Sequence, residues 1–213
     1  MPTPLWLNRG GVLRRGFIQD QDVDSHADIQ ATKIAGVYTL LWDTQDAGVQ
    51  FPVASITTPT LPQTYAGLHV VWTARSDGAA TSENMLVRFN GDSTAGHWNW
   101  EFNRFIGTGV SSGESLNNNC YYSGDMAGAT AEANATGSGT IWIPGYSLSI
   151  RQTVISIAGS VMGANSGVTG FMGVTNNAGR WSQSAPITTI TFFPGGGNFI
   201  SPFTRIQVYG IDG

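Results

Sequence analysis

The sequence contains few charged residues and almost no lysine. Asp, Glu, Lys and Arg make up 11% of the 213 residues, less than half of the roughly 25% found in typical soluble domains. Lys33 is the only lysine, and the formal net charge is −4. Because nucleic-acid-binding proteins present a basic stripe or patch, this composition predicts that nucleic acid is not a partner.

Cysteine and long apolar runs are also scarce. Cys120 is the only cysteine, which excludes a disulfide framework within the chain and a cysteine-based zinc site. No run of 18 apolar residues occurs, so the sequence predicts no membrane insertion. The segment Met1-Pro-Thr-Pro lacks the basic start and apolar stretch of a signal peptide.

Glycine and aromatic residues are abundant, and apolar residues alternate with polar ones. The chain holds 28 Gly, and aromatic residues reach 11%, which favours many short strands joined by tight turns. In His69–Asp92 we predict a strand, a polar loop and a second strand, because Val70 and Trp72 share one face, as do Val87 and Phe89. Strands this apolar need a second sheet to cover them.

The alternating pattern continues from Phe51 to the end of the chain, with no convincing helix. About eight to ten short strands predict an all-β, jelly-roll-like β-sandwich over residues 49–213. The stretch 107–139 is too long for a plain connection, so it is either functional or contains further structure. The predicted core consists of Val70, Trp72, Val87, Phe89, Trp98, Trp100, Ile141, Ile190, Phe192, Ile206 and Val208.

Residues 1–48 differ from the rest and are predicted to form an N-terminal attachment arm of short β-hairpins. The arm holds both charge clusters of the chain, a basic one at Arg9, Arg14 and Arg15 and an acidic run that follows it. Its apolar residues need cover from a neighbouring copy or another protein. Because aromatics anchor most interfaces, Trp6 and Trp42 are predicted attachment residues. The basic cluster of Arg9, Arg14 and Arg15 is predicted to take part in the same attachment.

Three patterns resemble catalytic or metal sites but do not meet their requirements. Asp20-x-Asp22-x-Asp24 begins like a calcium loop, yet the required Gly and Glu positions hold other residues. The three histidines, His26, His69 and His97, lack ligand spacing. A glycosidase needs two carboxyls about 5–10 Å apart, and for Asp92 and Glu101 the sequence supplies no such distance. We therefore predict no catalytic residue, no metal and no cofactor.

The seven tryptophans leave one candidate for a ligand contact. Trp72, Trp98, Trp100 and Trp142 occupy strand faces predicted to be buried. Trp181 follows a turn signal at Asn176–Gly179 and lies outside the predicted strands. Since exposed aromatic rings stack on sugars and anchor interfaces, Trp181 is the predicted ligand contact.

Several segments in order resemble a jelly-roll domain of tailed-bacteriophage structural proteins, over about residues 50–213. They are Arg75-Ser76-Asp77, Leu86-Val87-Arg88-Phe89-Asn90-Gly91-Asp92, Ile141-Trp142-Ile143-Pro144, Gly197-Asn198-Phe199 and Ile206-Gln207-Val208-Tyr209-Gly210. The Gly-Gly-Val-Leu and Ala-Gly-Val-Tyr turns of the arm similarly resemble hairpins of phage minor tail proteins.

The resemblance implies a non-enzymatic virion protein, often a homotrimer, exposed on the particle exterior. Its partners would be other copies, other virion proteins and a host cell-surface glycan. The resemblance does not say whether the protein lies on the tail or on the head. The arm favours a minor tail protein in host attachment, and a capsid decoration or head-fibre protein is the alternative. The alternative of another class is a cellular carbohydrate-binding module, for which we would expect a signal peptide or an attached catalytic domain.

Overall fold

The computed structural model describes residues 38–106, 109–161, 172–200 and 202–213. In these ranges the chain forms twelve strands, and no helix there is long and apolar enough to cross a membrane. The strands are β1 (Tyr38–Asp43), β2 (Ile56–Thr57), β3 (Gly67–Ala74), β4 (Ser82–Phe89), β5 (Trp98–Ile106), β6 (Gly109–Asn118), β7 (Tyr121–Ala127), β8 (Gly137–Pro144), β9 (Gln152–Val161), β10 (Met172–Trp181), β11 (Ile190–Pro194) and β12 (Arg205–Ile211).

The strands form two antiparallel sheets with a hydrophobic core between them. The larger sheet has eight strands in the order β1-β12-β3-β8-β9-β10-β5-β6, and the smaller has four in the order β2-β11-β4-β7. Buried and accessible positions alternate along β9 and β12, as expected where one face of a strand meets a core. The prediction of an all-β sandwich is confirmed.

The core contains the residues that alternation predicted, together with further residues from both sheets and their connections. All of the predicted core residues are buried except Trp100, which is half-buried against the same cluster. Trp72 and Phe89 come from the two strands of the His69–Asp92 stretch, which lie in different sheets. The two strands therefore contribute to the core from opposite sides instead of pairing with each other.

Residues 107–139 contain two complete strands, β6 and β7, so this stretch holds further structure and is not a plain connection. All seven residues of β7 are buried. Gly124 of β7 has a φ of 139°, and a Cβ placed there would lie 2.2 Å from the Cβ of Ala158 on β9. This close approach of β7 to the larger sheet requires glycine, because any side chain would overlap Ala158.

The larger sheet includes one strand that precedes the predicted boundary at residue 48. β1 pairs with β12 at the edge of the larger sheet. Asp43 at the end of β1 is 2% exposed and accepts hydrogen bonds from Arg205 Nε at 3.0 Å and Nη2 at 2.6 Å. Residues 38–43 fall within the predicted arm, but they pair with the strand at the other end of the chain. Residues 1–37 and their predicted hairpins lie outside the described residues.

Candidate functional site

The outer face of the larger sheet, which is turned away from the core, carries one row of side chains in register across five adjacent strands. The row consists of Trp142 on β8, Ile155 on β9, Ala178 on β10, Glu101 on β5 and Glu114 on β6. Trp142 is 39% exposed and Ile155 is 48% exposed. We call these residues the outer row. It joins an apolar end at Trp142 to an acidic end at Glu114.

Four aromatic rings form one cluster at the apolar end, and we call Tyr38, His69, Trp142 and Tyr209 the aromatic cluster. The Trp142 and His69 rings are stacked with centroids 4.3 Å apart, and Tyr38 lies edge-on to Trp142 at 6.2 Å. His69 Nε2 is also hydrogen-bonded to the hydroxyl of Thr140. Burial lowers the pKa of His69 and so favours its neutral imidazole. These contacts hold the indole of Trp142 in one orientation.

An open groove of about 530 Å³ lies over the acidic end of the outer row. Ile155 and Ala178 belong to its lining. The exposed polar side chains that line it are Glu101, Asn103, Ser112, Glu114 and Asn176. We call this feature the outer groove. The methyl group of Ala178 between the longer side chains of Ile155 and Glu101 leaves room for a ligand across the row.

The exposed polar side chains of the outer groove have no hydrogen-bonding partner within the described residues. In the same ranges the ion pairs are His97–Asp92, Arg104–Asp125 and Arg205–Asp43, and none of them includes Glu101 or Glu114. The two glutamates are direct cross-strand partners, an arrangement that destabilises a sheet because like charges repel. The outer groove therefore presents free acceptors and uncompensated negative charge.

A shallower, apolar depression of about 430 Å³ adjoins the outer groove. Val71, Ile157 and Val174 line it together with Gly159. Gly159 has an ordinary φ, and a Cβ there would meet only the carbonyl oxygen of Gly173 at 3.6 Å. The depression thus exists because Gly159 lacks a side chain, and a larger residue could fill it without strain.

Asp92 forms a separate polar centre at the start of β5, and its geometry is structural. Its carboxylate accepts hydrogen bonds from Trp181 Nε1 at 2.7 Å, from Thr94 N at 3.0 Å and from His97 Nδ1 at 2.7 Å. Burial alone would raise the pKa of Asp92, but these donors lower it to about 2. A general acid for glycoside hydrolysis needs a raised pKa, so Asp92 does not fit that role with Glu101.

The structure corrects the predictions for two tryptophans. Trp181 is 2% exposed, lies within β10 and stacks on Trp98 with centroids 6.0 Å apart. The ring of Trp181 therefore has almost no surface to offer a ligand. Trp142 is accessible instead of buried. Its two neighbours, Ile141 and Ile143, are both fully buried, and the strand period of two already required Trp142 to face away from them.

The remaining predicted site residues do not come together. His69 belongs to the aromatic cluster and His97 contacts Asp92, so the two do not meet. No group of three or more His, Cys, Asp or Glu residues that could hold a metal occurs within the described ranges. Trp42 is half-buried and packs against the core, which leaves little of it for the attachment role. Trp6, Arg9, Arg14, Arg15 and His26 lie outside the described residues.

Comparison with known proteins adds no relative. No family model, no curated protein and no solved structure matches this chain.

Proposed function

We propose that the chain is a non-enzymatic structural protein on the exterior of a tailed-phage virion, where it contacts the host surface. The observation that carries this proposal is the outer face of the larger sheet. That face combines exposed aromatic and aliphatic side chains with an open polar groove. Stacking surface and free hydrogen-bonding groups suit binding, whereas acyl or glycosyl transfer needs an activated nucleophile or a general acid.

The order of the strands supports the jelly-roll part of the proposal. β1, β12, β3 and β8 are neighbours in one sheet, while β2, β11, β4 and β7 are neighbours in the other. Along the chain, these eight strands pass repeatedly from one sheet to the other. The same alternation occurs in a jelly roll, which is built from two Greek keys. The pairs β5–β6 and β9–β10 extend the larger sheet beyond this pattern, and they supply most of the outer groove.

Self-assembly as a homotrimer is the second part of the proposal. Phe105, Val110 and Met172 are 42%, 69% and 63% exposed near one end of β5, β6 and β10. Exposed apolar surface of this kind marks protein contacts. Phe105 lies four residues along β5 from Glu101, about 13 Å away. A contact between copies at Val110 would therefore leave the outer row accessible.

The position on the particle is tested by labelling. Antibodies against the purified chain should bind intact particles produced by the genome that encodes it. Label at the tail tip supports the host-attachment role, and label over the head supports the alternative role in capsid decoration. Particles that contain none of the chain would exclude both roles and favour a cellular carbohydrate-binding module.

Light scattering tests the trimer. The full chain should have three times the mass of one chain at micromolar concentration, and Val110→Glu should reduce it to a monomer because a buried charge would oppose the contact. Leu148→Glu, at a residue that is 53% exposed in the β8–β9 connection, is the matched control. A wild-type monomer, or equal effects of both substitutions, would contradict this interface.

A further inference from the structure

We propose that the outer groove and Trp142 together bind an oligosaccharide that carries no acidic group. This inference rests on the proposed host-contact role and adds the chemical class of the ligand to it. The outer row is the binding line, with sugar rings lying across β8, β9, β10, β5 and β6.

The apolar end of the outer row is suited to the C–H face of a sugar ring. Trp142 is exposed but is held by stacking on His69 and by the edge of Tyr38. An aromatic ring that is already fixed loses little conformational entropy on binding. Ile155, its neighbour in the row, extends the apolar surface toward the outer groove.

The polar end of the outer row is suited to hydroxyl groups. Glu101 and Glu114 offer carboxylate oxygens, and Asn103, Ser112 and Asn176 add amide and hydroxyl groups. Carboxylates only accept hydrogen bonds, so the best ligand supplies many donors. A polyhydroxylated ligand meets this requirement, and an amino group on it would strengthen the contact through charge.

The charge of the outer groove determines which sugars are excluded. Glu101 and Glu114 repel an acidic ligand, and the nearby Arg104 forms an ion pair with the buried Asp125. Arg180 faces outward beside Asn99, one outer position along β10 from Ala178, and a single exposed arginine does not balance two carboxylates. Uronic acids and sialic acids are therefore disfavoured.

The length of the outer row implies more than one sugar ring. Trp142 and Glu114 are separated by four strand spacings of about 4.8 Å, or about 19 Å. A monosaccharide can occupy only one end. A linear oligosaccharide can reach both, so its affinity should rise with length until the row is filled.

The test uses the full chain and a panel of oligosaccharides of increasing length. The probes are oligomers of glucose, N-acetylglucosamine, glucosamine and galacturonic acid, with binding measured by titration calorimetry. We expect at least one neutral or amino-bearing oligomer to bind with a Kd below about 1 mM, and the galacturonic acid oligomer not to bind.

Three substitutions locate the site. Trp142→Ala should weaken binding roughly tenfold or more, because a central aromatic contact is lost. Ala178→Trp should block the outer groove, and it preserves folding because Ala178 is exposed. Glu101→Gln should weaken glucosamine oligomers more than glucose oligomers. Glu132→Gln removes a charge from an exposed residue in the β7–β8 connection, so this control should bind normally.

Three outcomes would overturn the proposal. The first is the absence of binding to every neutral and amino-bearing oligomer, and the second is binding to the galacturonic acid oligomer alone. The third is an Ala178→Trp variant that no longer forms the trimer but binds sugar with unchanged affinity. Each of them leaves the particle-labelling result unchanged. Failure of the glycan site and failure of the virion role are therefore distinguishable.

Discussion

The contact between Asp43 and Arg205 provides a direct test of whether β1 is part of the domain. Asp43 is buried and lies in the strand that begins the larger sheet, whereas Arg205 begins the last strand. The carboxylate also accepts hydrogen bonds from Gln45 N at 2.8 Å and from Gln207 Nε2 at 3.0 Å. Asp43→Ala removes all of these contacts at once while leaving the β1 backbone in place.

The expected cost follows from the burial of Asp43 and the accessibility of its partner. Removal of one member of a buried ion pair typically costs about 3–5 kcal/mol, because the other charge is left without compensation. The side chain of Arg205 is 52% exposed and can return to water. We therefore expect Asp43→Ala to lower the free energy of unfolding by about 2–3 kcal/mol. For a domain of this size the melting temperature should fall by about 4–12 °C.

Urea unfolding at neutral pH measures this loss, and a double-mutant cycle assigns it. In an Arg205→Ala background, Asp43→Ala should cost less than in the wild type, because the shared interaction is already absent. A loss below about 0.5 kcal/mol in the wild-type background would refute the conclusion that Asp43 fixes β1 to the domain. Equal losses in both backgrounds would assign the effect to Gln45 and Gln207 instead.

Three further predictions concern the fold. A chain that begins at residue 36 should unfold cooperatively with full stability. A chain that begins at residue 49 should be several kcal/mol less stable, because it lacks β1. Urea unfolding of the two chains measures the difference. Gly124→Ala should lower the free energy of unfolding by about 3 kcal/mol or more, because its Cβ would overlap Ala158. Gly159→Ala should be neutral or slightly stabilising. Thermal unfolding of the two variants distinguishes these effects. Asp92 contributes stability above about pH 4 that disappears as the pH falls toward its folded pKa of about 2. Trp181→Phe removes one hydrogen-bond donor to Asp92 and raises that pKa. The variant should therefore lose less stability than the wild type between about pH 5 and pH 2. If the free energy of unfolding depends on pH equally in both proteins, Trp181 does not have this role.

Alternation along single strands was sufficient to predict the core but not the sheet that each strand joins. Val70, Trp72, Val87 and Phe89 all face inward as predicted, because burial depends mainly on local period and side-chain type. Sheet membership depends on pairing between distant segments. β1 pairs with β12, and neither segment contains a local signal for the other, so the arm was predicted to extend to residue 48.

The candidate site could be predicted only in part for the same reason. The position of Trp142 follows from its neighbours Ile141 and Ile143, and strict use of the strand period would have placed it outside. The position of Trp181 was missed because β10 extends to residue 181, past the Gly and Asn residues that resemble a turn. The outer groove needs the order β9-β10-β5-β6, which no local pattern in the sequence determines.

The opposed glutamates of the outer groove are difficult to explain as structural residues. Glu101 and Glu114 are direct cross-strand partners and have no ion pair within the described ranges. A like-charge pair of this kind costs on the order of 0.2–1 kcal/mol, and threonine or an opposite charge at either position would favour the sheet. The inner face of β5 supplies the packing through Trp98 and Trp100, so the outer face is not needed for folding. Residues that reduce the stability of a surface strand, and make no compensating interaction within the fold, are characteristic of binding sites. The destabilising pair of Glu101 and Glu114 therefore favours a ligand site at the outer groove over one at the apolar depression beside Gly159.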